Sequence, residues 1–407
     1  MKKDHKITKG RPGIIGRFIW SIGCFVSRQL YNKSLNLQFQ GYEVFDKLKP
    51  PYLLIANHVS NYDPVIVSSN QNHLVHWVAN DAVFRHPFVR WAFEKVQTIP
   101  KTKGMSDLDT IRIMHQKVRE GAVVGLFPEG KTCWDGKTQH LLPATAKLVK
   151  LLKVPVISVT IRGAYMTQPR WVWSKNRRRS RILLDARLLV QKEEIKSMSV
   201  EEVDLRLSEG LANDDFKFIR ENSVRLESEN RAEHLELYTF ICPKCGRLEA
   251  LRSKGNDVVC IHCMWHFTID PYGQFPRDKD FPFADLSEWN EWQQKETRKR
   301  VEAYLLDEKA SLSLLEDRGI TLLTGAGLVP LKTLCRGDAQ LLKDRILFTP
   351  YKGAPMNFLL DEVDAISIFK QQKLEFYYKK VLYRFHYNNP WDSAFKWLSF
   401  VEALQEV

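Results

Sequence analysis

The sequence predicts an α/β domain with a mostly parallel sheet over residues 35–211, a small cysteine-rich segment over residues 238–275 and a β-rich domain over residues 285–407. Three observations support this division. Continuous apolar runs, typical of strands buried on both faces, alternate with helical segments in the first half. Two Cys-x-x-Cys pairs follow, and the last part, with runs such as KLEFYYK, shows the alternation of antiparallel strands.

Composition and charge limit the kinds of partner that the chain is expected to have. With 407 residues, 44% of them hydrophobic, the chain can bury large cores in more than one domain. A net charge of +13 favours an acidic partner, which can be nucleic acid, an anionic membrane, or a phosphorylated substrate or carrier. Cys24, Cys133 and Cys335 stand apart from the paired cysteines, which suits a reducing compartment better than a disulfide framework.

Residues 1–34 combine basic and apolar side chains. Five of the first eleven residues are Lys or Arg, and residues 14–26 are mostly apolar but contain Arg17. Because a spanning helix needs about 20 apolar residues, this segment is predicted to lie at a membrane surface, with a helix packed on its own domain as the alternative. No A-x-A cleavage site follows Val26, so we expect a peripheral or monotopic protein at the cytoplasmic face of the cell membrane.

The predicted elements of the α/β domain alternate along the chain. Strands are predicted over residues 52–57, 74–79, 122–127, 154–161 and 181–190, and helices over residues 87–96, 106–119, 143–153 and 199–211. Asp63 before Pro64 predicts a further helix start, with Asp63 as N-cap. Capping boxes are predicted at Ser106 with Asp109 and at Ser199 with Glu202, and Gly121 is predicted to end a helix.

The stretch LLIANHVSNYD, residues 53–63, places His58 and Asp63 beyond the end of a predicted strand, where α/β folds perform chemistry. The spacing alone is weak, since about half of one such His-x4-Asp pair is expected by chance. His76 and Asp81 share it, but the residues between them suit a strand interior, which leaves no turn to bring the two together. After His58 the chain bends into a helix, so this pair is the one expected to form.

Two later motifs accompany NHVSNYD, namely FPEG at residues 127–130 and VPVISV at residues 154–159. Together, over roughly residues 18–211, they resemble the glycerolipid acyltransferases typified by bacterial 1-acylglycerol-3-phosphate acyltransferase, which carry N-H-x-S-x-x-D, F-P-E-G and V-P-V-x-P-V blocks in this order. The resemblance implies an α/β acyltransferase domain that moves a fatty acyl group from a thioester, acyl-coenzyme A or acyl carrier protein, to a lysophospholipid.

The resemblance also implies residue roles. His58 would be the general base that takes the proton of the acceptor hydroxyl, and Asp63 would orient its ring and stabilise its positive charge. Glu129 and Gly130 of the FPEG block would bind the glycerol phosphate acceptor. Lys101 stands in place of the family's phosphate-binding Arg, and Lys131 is displaced by one position from the Arg that follows this block.

These departures bear on the acceptor. Lys binds phosphate as a point charge and not as a bidentate fork, and Ser158 replaces the second Pro of the last block. We still expect acyl transfer, but the sequence does not identify the headgroup of the acceptor. The alternative for Lys101 and Lys131 is that they are ordinary solvated lysines without a role in binding. The segment RWVWSKNRRRSR, residues 170–181, mixes two Trp with six cationic residues, which suits an anionic membrane, an acidic carrier, nucleic acid or a solvated loop.

The second half adds a candidate metal site. After a charge-rich segment predicted as a helical linker, residues 212–237, four cysteines form two Cys-x-x-Cys pairs: Cys242, Cys245, Cys260 and Cys263. Their spacing predicts a β-hairpin of zinc-ribbon type that holds structural Zn²⁺, because a filled Cys₄ site leaves no open position for catalysis. Four free thiols are the alternative, and His262 and His266 are not expected to be ligands.

The last part is predicted to begin with a helix over residues 286–306 and to end with a helix capped by Ser393. Several strands closed by a helix resemble a pleckstrin-homology-like module. Two functions follow: a membrane-associated O-acyltransferase, or a non-catalytic or regulatory protein whose zinc ribbon binds nucleic acid or a protein. The second does not explain the motifs at strand ends, so we expect the enzyme and no nucleic-acid partner.

Overall fold

The computed structural model describes residues 10–101, 108–172, 178–276, 281–307, 313–326 and 329–406, with the backbone alone at residues 30–34. The chain divides into two compact units. The first unit comprises Met1–Pro169 and Arg177–Glu227, and the second comprises Arg170–Asn176 and Ser228–Val407.

A seven-stranded sheet forms the centre of the first unit. Its strands are β1 (Leu37–Gln40), β2 (Leu53–Ala56), β3 (Val75–Asn80), β4 (Ile99–Lys101), β5 (Val123–Leu126), β6 (Val156–Arg162) and β7 (Ile182–Val190). They lie in the order β1-β7-β6-β2-β5-β3-β4, and all neighbours are parallel except β6 and β7. The prediction of a mostly parallel sheet is confirmed.

The helices of the first unit agree with most of the predicted positions. They are α1 (Ile14–Leu35), α2 (Val44–Lys47), α3 (Asp63–Ser68), α4 (Pro87–Lys95), α5 (Leu108–Arg119), α6 (Ala144–Leu152), α7 (Glu194–Ser197), α8 (Val200–Leu211) and α9 (Asp215–Glu221), with 3-10 turns at Asp81–Arg85 and Tyr165–Thr167. The capping box of Ser199 and Glu202 is present in α8. Gly121 follows α5 with φ of +75°, a conformation that favours glycine. Ser106 lies outside the described residues.

The central strands are apolar along their whole length because they are buried on both faces. All four residues of β2 are at most 1% exposed. Val149 of α6 and Leu207 of α8 pack with Ile55 in one core cluster. Within the described ranges, no helix is both long and apolar enough to cross a membrane. Residues 1–9 of the predicted membrane-interfacial segment lie outside those ranges.

Residues 212–237 differ from the predicted helical linker. The helix α9 covers only Asp215–Glu221, and the first unit continues to Glu227. Isolated bridges join Lys137 with Asp214 and Arg179 with Glu227, so this segment adds to the α/β fold. The helical prediction is wrong beyond α9 because a charge-rich composition favours helix without providing an apolar face to pack.

The predicted basic and aromatic surface at residues 170–181 is also corrected in part. Trp171 is 1% exposed and Arg178 is fully buried, with an Arg178 guanidinium nitrogen 3.3 Å from the carbonyl oxygen of Met166. These two side chains therefore serve packing and not an external partner. Residues 173–177 lie outside the described residues.

The second unit contains two antiparallel sheets. The first has the order β10-β9-β8 and the second the order β14-β13-β12-β11-β17-β16-β15. The strands are β8 (Leu251–Lys254), β9 (Asp257–Cys260), β10 (His266–Thr268), β11 (Leu315–Gly325), β12 (Lys332–Leu341), β13 (Arg345–Pro350), β14 (Met356–Leu359), β15 (Val363–Ile368), β16 (Lys373–Tyr378) and β17 (Val381–His386); the helices are α10 (Leu286–Leu306) and α11 (Ala394–Gln405), with 3-10 turns at Leu235–Leu237 and Leu360–Glu362. Ser393 caps α11 as predicted. The β-rich domain is confirmed, and the pleckstrin-homology-like assignment stays a prediction.

Candidate active site at the carboxyl edge of the parallel sheet

The ends of β2 and β5 meet because these strands are parallel neighbours. Carboxyl ends of adjacent parallel strands lie at one edge of a sheet, so the segments after β2 and β5 lie side by side. Asn57 fixes the end of β2 on β6: its Nδ2 donates to the carbonyl oxygen of Ile161 at 2.9 Å, and its Oδ1 accepts from the amide of Ile161 at 2.6 Å. The residue after Asn57 is thereby held at a defined position.

His58 and Asp63 form a pair at this edge. Nδ1 of His58 lies 2.9 Å from Oδ2 of Asp63, and the two side chains are 19% and 0% exposed. The carboxylate also accepts from the amides of Val59 and Ser60 at 2.7 and 2.8 Å and from the Ser60 hydroxyl at 2.7 Å. An ionised carboxylate only accepts hydrogen bonds, so the ring proton lies on Nδ1. Nε2 is then the nitrogen with a lone pair available for a proton.

The role of Asp63 in α3 corrects one prediction. Asp63 is the first helical residue and Tyr62 occupies the N-cap position. The Asp63 carboxylate points back to the turn at Val59 and Ser60, so its assignment as N-cap is wrong. The predicted bend that brings this carboxylate onto the imidazole is present.

Glu129 braces the backbone of His58. Its Oε1 accepts from the His58 amide at 2.5 Å, and its Oε2 accepts from the Gln139 amide at 2.7 Å. The residue is 4% exposed. Burial raises the pKa of Glu129 to about 8, against the opposing effect of these two amide donors. Both oxygens therefore already have partners in the fold, and the predicted contact of Glu129 with the acceptor stays a prediction.

The other predicted binding residues lie at the same edge, at different distances from the pair. Gly130 has φ of +68°, a backbone conformation that favours glycine. Lys131 follows it and is exposed. Lys101 ends β4, which is three strands from β2, or about 14 Å at the usual strand spacing. No contact joins these lysines to His58, and their roles stay predictions.

Two aromatic residues without a predicted role support the pair. The His58 ring stacks on Phe127 with centroids 4.1 Å apart and planes at 17°, and Phe127 stacks on Trp77 at 4.8 Å and 11°. Phe127 was visible as the first letter of FPEG. Trp77 carried no sequence signal, because its role depends on the pairing of β3 with β5.

His76 behaves as its strand position predicted. It lies in β3, 2% exposed, with Nδ1 3.2 Å from the carbonyl oxygen of Gln97. Burial lowers the pKa of His76 to about 4, so the ring is neutral near pH 7. Asp81 instead pairs with Arg85 at 3.5 Å. The equal spacing of His76 and Asp81 thus produces no dyad.

The second unit contains the predicted cysteine cluster. The Sγ atoms of Cys242, Cys245, Cys260 and Cys263 all lie within 4.8 Å of one another. The Cys242–Cys263 and Cys245–Cys260 Sγ pairs are each 3.8 Å apart, far longer than a disulfide bond. A tetrahedral ion with metal–sulfur bonds of about 2.3 Å has sulfur–sulfur edges of about 3.8 Å. The four cysteines therefore fit a metal ion, and β8 and β9 form the predicted hairpin between them.

The first unit is thus an α/β fold with a His–Asp dyad at the carboxyl edge of a mostly parallel sheet. Its residues 36–162 match the family model described as Acyltransferase, so an acyltransferase-family domain is present, as the motifs predicted.

Two individual proteins are similar to parts of the chain. The curated "1-acyl-sn-glycerol-3-phosphate acyltransferase BAT2, chloroplastic" of Brassica napus is 25% identical over 133 residues, which is 32% of this chain and 38% of that protein. The chain therefore spans well under half of this relative. The crystal structure of the 1-acyl-sn-glycerophosphate (LPA) acyltransferase, PlsC, from Thermotoga maritima matches with 20% identity and a TM-score of 0.41, covering 51% of this chain and 80% of that one.

The buried carboxyl of Glu129 generates a prediction for Glu129→Gln. Since the folded state raises the pKa of this carboxyl from 4.5 to about 8, it binds the proton more tightly than the unfolded chain does. Its contribution to stability is complete below pH 4.5 and is lost as the pH rises through 8. We expect the unfolding free energy of wild type to fall relative to that of the variant by up to about 1.4 kcal/mol per pH unit between these values, so that the advantage of wild type at low pH is lost and can reverse by pH 8.

Chemical denaturation from pH 5 to pH 8 measures this difference. At pH 5 the variant should be less stable by about 1–3 kcal/mol, because the glutamine NH₂ offers no lone pair to one of the two backbone amides, whereas the hydroxyl oxygen of the protonated carboxyl does. Glu201→Gln, exposed in the first turn of α8, controls for the loss of a carboxylate. Parallel stability curves for wild type and Glu129→Gln would contradict the buried, proton-binding carboxyl.

Proposed function

We propose that the protein transfers a fatty acyl group from a thioester donor to the free hydroxyl of a lysophospholipid such as 1-acylglycerol-3-phosphate. The observation that carries the proposal is the His58–Asp63 pair, 2.9 Å apart with a fully buried carboxylate. It lies inside a segment that matches the Acyltransferase model. The printed name of the Brassica napus relative, a 1-acyl-sn-glycerol-3-phosphate acyltransferase, supports the acceptor class.

The pair fits the chemistry of the transfer. Nε2 of His58 takes the proton of the acceptor hydroxyl while the hydroxyl oxygen attacks the thioester carbonyl carbon. A new C–O bond forms, the C–S bond breaks, and the departing thiolate recovers the proton from the imidazolium. Asp63 stabilises that imidazolium, and a positioned general base contributes about 10²- to 10⁴-fold. Acyl-coenzyme A and acyl carrier protein both supply the thioester.

The acceptor site is proposed beside this pair. Gly130 allows the backbone to approach the substrate closely, and Lys101 and Lys131 supply positive charge for the acceptor phosphate. All three follow or end strands of the same sheet edge. Glu129 contributes by holding the His58 amide, which fixes the base against the acceptor hydroxyl.

A membrane surface is the proposed source of the acceptor, at the cytoplasmic face. One side of α1 exposes a run of apolar side chains: Ile14, Ile15, Phe18, Ile22, Phe25 and Val26. At 100° per residue these positions span about 120° of the helix. In α4, Phe88 and Trp91 are 69% and 46% exposed and stack on each other. Exposed apolar helix faces with neighbouring basic residues are typical of interfacial binding.

The cysteine cluster is proposed as a structural zinc ribbon. All four ligands are thiolates, which Zn²⁺ accepts in closed tetrahedral sites. The helix α10 braces the first Cys-x-x-Cys turn: Gln293 Oε1 accepts from the amides of Phe240 and Ile241 at 2.7 and 3.1 Å, and Arg300 donates to the carbonyl oxygen of Gly246. Metal binding at the turn therefore supports the helix that follows.

The ribbon and the basic charge also favour the second candidate, a non-catalytic or regulatory protein that binds nucleic acid or a protein. This candidate gives no reason for the fully hydrogen-bonded Asp63 beside His58. An acylation assay separates the two, since the second candidate predicts no transfer by wild type.

Within the proposed function, the first prediction concerns His58→Ala. Acyl transfer to 1-acylglycerol-3-phosphate, measured with acyl-coenzyme A and with acyl carrier protein as donors, should fall by about 10²-fold or more, because the hydroxyl proton has no acceptor in the variant. His76→Ala removes a histidine with the same spacing to an aspartate and should retain activity, provided that its thermal unfolding confirms a folded state. Full activity of folded His58→Ala would contradict the general-base role.

The exposed face of α1 generates the second prediction. Phe18→Asp with Phe25→Asp should weaken sedimentation with anionic phosphatidylglycerol vesicles by about tenfold or more, because two apolar anchors are replaced by charges that an anionic surface repels. Leu205→Asp is the matched control, since Leu205 of α8 is 60% exposed, close to the 63% of Phe18. Equal binding of all three proteins would refute the surface on α1.

The metal proposal gives the third prediction. Elemental analysis should find about one zinc per chain, and Cys242→Ser should lose it together with stability of the second unit, since structural zinc contributes folding free energy. Cys335→Ser, outside the cluster, should retain the metal. Acyl transfer measured on the same proteins tells whether the ribbon bears on activity. A wild-type protein purified without bound metal and unaffected by chelators would disprove the ribbon.

A further inference from the structure

Three aromatic rings lie in a row at the candidate active site. His58 stacks on Phe127, with centroids 4.1 Å apart, and Phe127 stacks on Trp77, with centroids 4.8 Å apart. The angles between the planes are 17° and 11°, so the three rings are nearly parallel. The hydrogen bond to Asp63 holds one edge of the imidazole, whereas the stack holds its plane.

The far end of the row is tied to the helix that carries Asp63. Nε1 of Trp77 donates to Oγ of Ser68 at 3.0 Å, and Ser68 Oγ donates to the carbonyl oxygen of Pro64 at 2.6 Å. Ser68 is the last residue of α3 and Asp63 is the first. One indole thus contacts both the stack that ends at the imidazole and the helix that begins at the carboxylate.

A glycine makes this arrangement possible. Trp77 of β3 pairs with Gly125 of β5, and a Cβ at Gly125 would lie 2.5 Å from Cγ1 of Val75 and 2.7 and 2.8 Å from indole carbons of Trp77. Real Cβ atoms do not approach that closely, so any larger residue at this position displaces the indole together with the side chain of Val75. Gly125 lies two residues before Phe127, which brings the indole and the phenyl ring onto neighbouring positions of the sheet.

We propose that Trp77 is a positioning residue that sets both members of the dyad, the His58 ring through Phe127 and the Asp63 carboxylate through Ser68 and α3. This inference rests on the proposed function, because it assigns Trp77 a role in that reaction. In the proposed reaction, Trp77 does not contact the acceptor hydroxyl or the thioester carbonyl carbon. It acts by fixing the direction in which Nε2 of His58 points. Orientation matters at this scale because a misplacement of about 1 Å can cost about 100-fold in rate.

The chemistry of the side chain gives a graded series of variants. Trp77→Phe keeps a ring in the stack and loses the hydrogen bond to Ser68, whereas Trp77→Leu loses both. Ser68→Ala removes the same hydrogen bond from the other side. If both contacts matter, kcat decreases from wild type through Trp77→Phe to Trp77→Leu, with KM for donor and acceptor unchanged. Trp77→Phe combined with Ser68→Ala should lose less than the sum of the two single losses, because the hydrogen bond between Trp77 and Ser68 is removed only once, whereas the bond from Ser68 to the Pro64 carbonyl oxygen is lost only with Ser68→Ala.

The test measures kcat and KM for this series and for Gly125→Ala, with Leu207→Ala as control. Leu207 is a fully buried core residue of α8 outside the stack, and its truncation lowers stability without touching the dyad. We expect kcat of Trp77→Leu and Gly125→Ala to fall by about 10- to 100-fold, while folded Leu207→Ala stays near wild type. The proposal would be overturned if kcat of Trp77→Leu equalled that of wild type, or if kcat of Leu207→Ala fell as much as that of Trp77→Leu.

A readout independent of turnover separates this inference from the proposed function. With ¹⁵N-labelled histidine, the ring resonances of His58 are assigned by their absence in His58→Gln. Wild type should show one tautomer protonated at Nδ1, and Trp77→Leu should show a mixture, because the ring no longer keeps one orientation toward Asp63. An unchanged single tautomer in Trp77→Leu overturns the positioning role even if acyl transfer itself is not found. If Trp77→Leu shows a mixture of tautomers but the wild-type protein transfers no acyl group, the positioning role of Trp77 stands and only the proposed acyltransferase activity is rejected.

Discussion

The buried carboxylate of Asp63 is the constraint on which the site depends. An ionised carboxylate without solvent is stable only when hydrogen bonds replace its hydration, and Asp63 obtains them from the Val59 and Ser60 amides, the Ser60 hydroxyl and His58. All four of these donors belong to the turn between β2 and α3. The chain must therefore bend back on the carboxylate, and that bend delivers the imidazole to it. The dyad follows from a local requirement of the fold, and the parallel sheet supplies the edge on which it stands.

This explains why the pair and its strand were predictable from sequence whereas its supports were not. Buried parallel strands show as continuous apolar runs, so β2 and β5 could be located, and residues after their ends could be expected at one edge. The order of the strands is not sequential, and the contact of Trp77 with Gly125 depends on it. Likewise, an Asp before Pro begins a helix whether its side chain caps that helix or faces a histidine, so the cap assignment failed while the helix itself was correct.

The same reasoning accounts for the outcome in the second unit. The spacing of four cysteines is a local signal, and it was sufficient to predict their convergence within 4.8 Å. The bracing of that cluster by α10 was not predictable, because Gln293 contacts backbone about fifty residues away in sequence. Buried amide side chains that satisfy distant backbone groups leave no periodic pattern. The linker prediction failed for a related reason: Glu227 pairs through an isolated bridge with Arg179, which charge composition does not reveal.

The helix α3 connects the dyad to the surface proposed to meet the membrane. Its first residue is Asp63, and its last turn is contacted by α1: the Cys24 Sγ lies 3.6 Å from the carbonyl oxygen of Ser68, and Arg28 donates to the carbonyl oxygen of Ser69. Ser68 also receives the indole N–H of Trp77. The helix α1, whose exposed face is proposed to meet a lipid surface, and the helix that starts with the carboxylate of the dyad are therefore joined by two contacts. If α1 lies on a membrane as proposed, these contacts would keep the dyad at a fixed distance from the membrane plane, where an acceptor hydroxyl of a lipid headgroup would meet His58 without movement of the protein core.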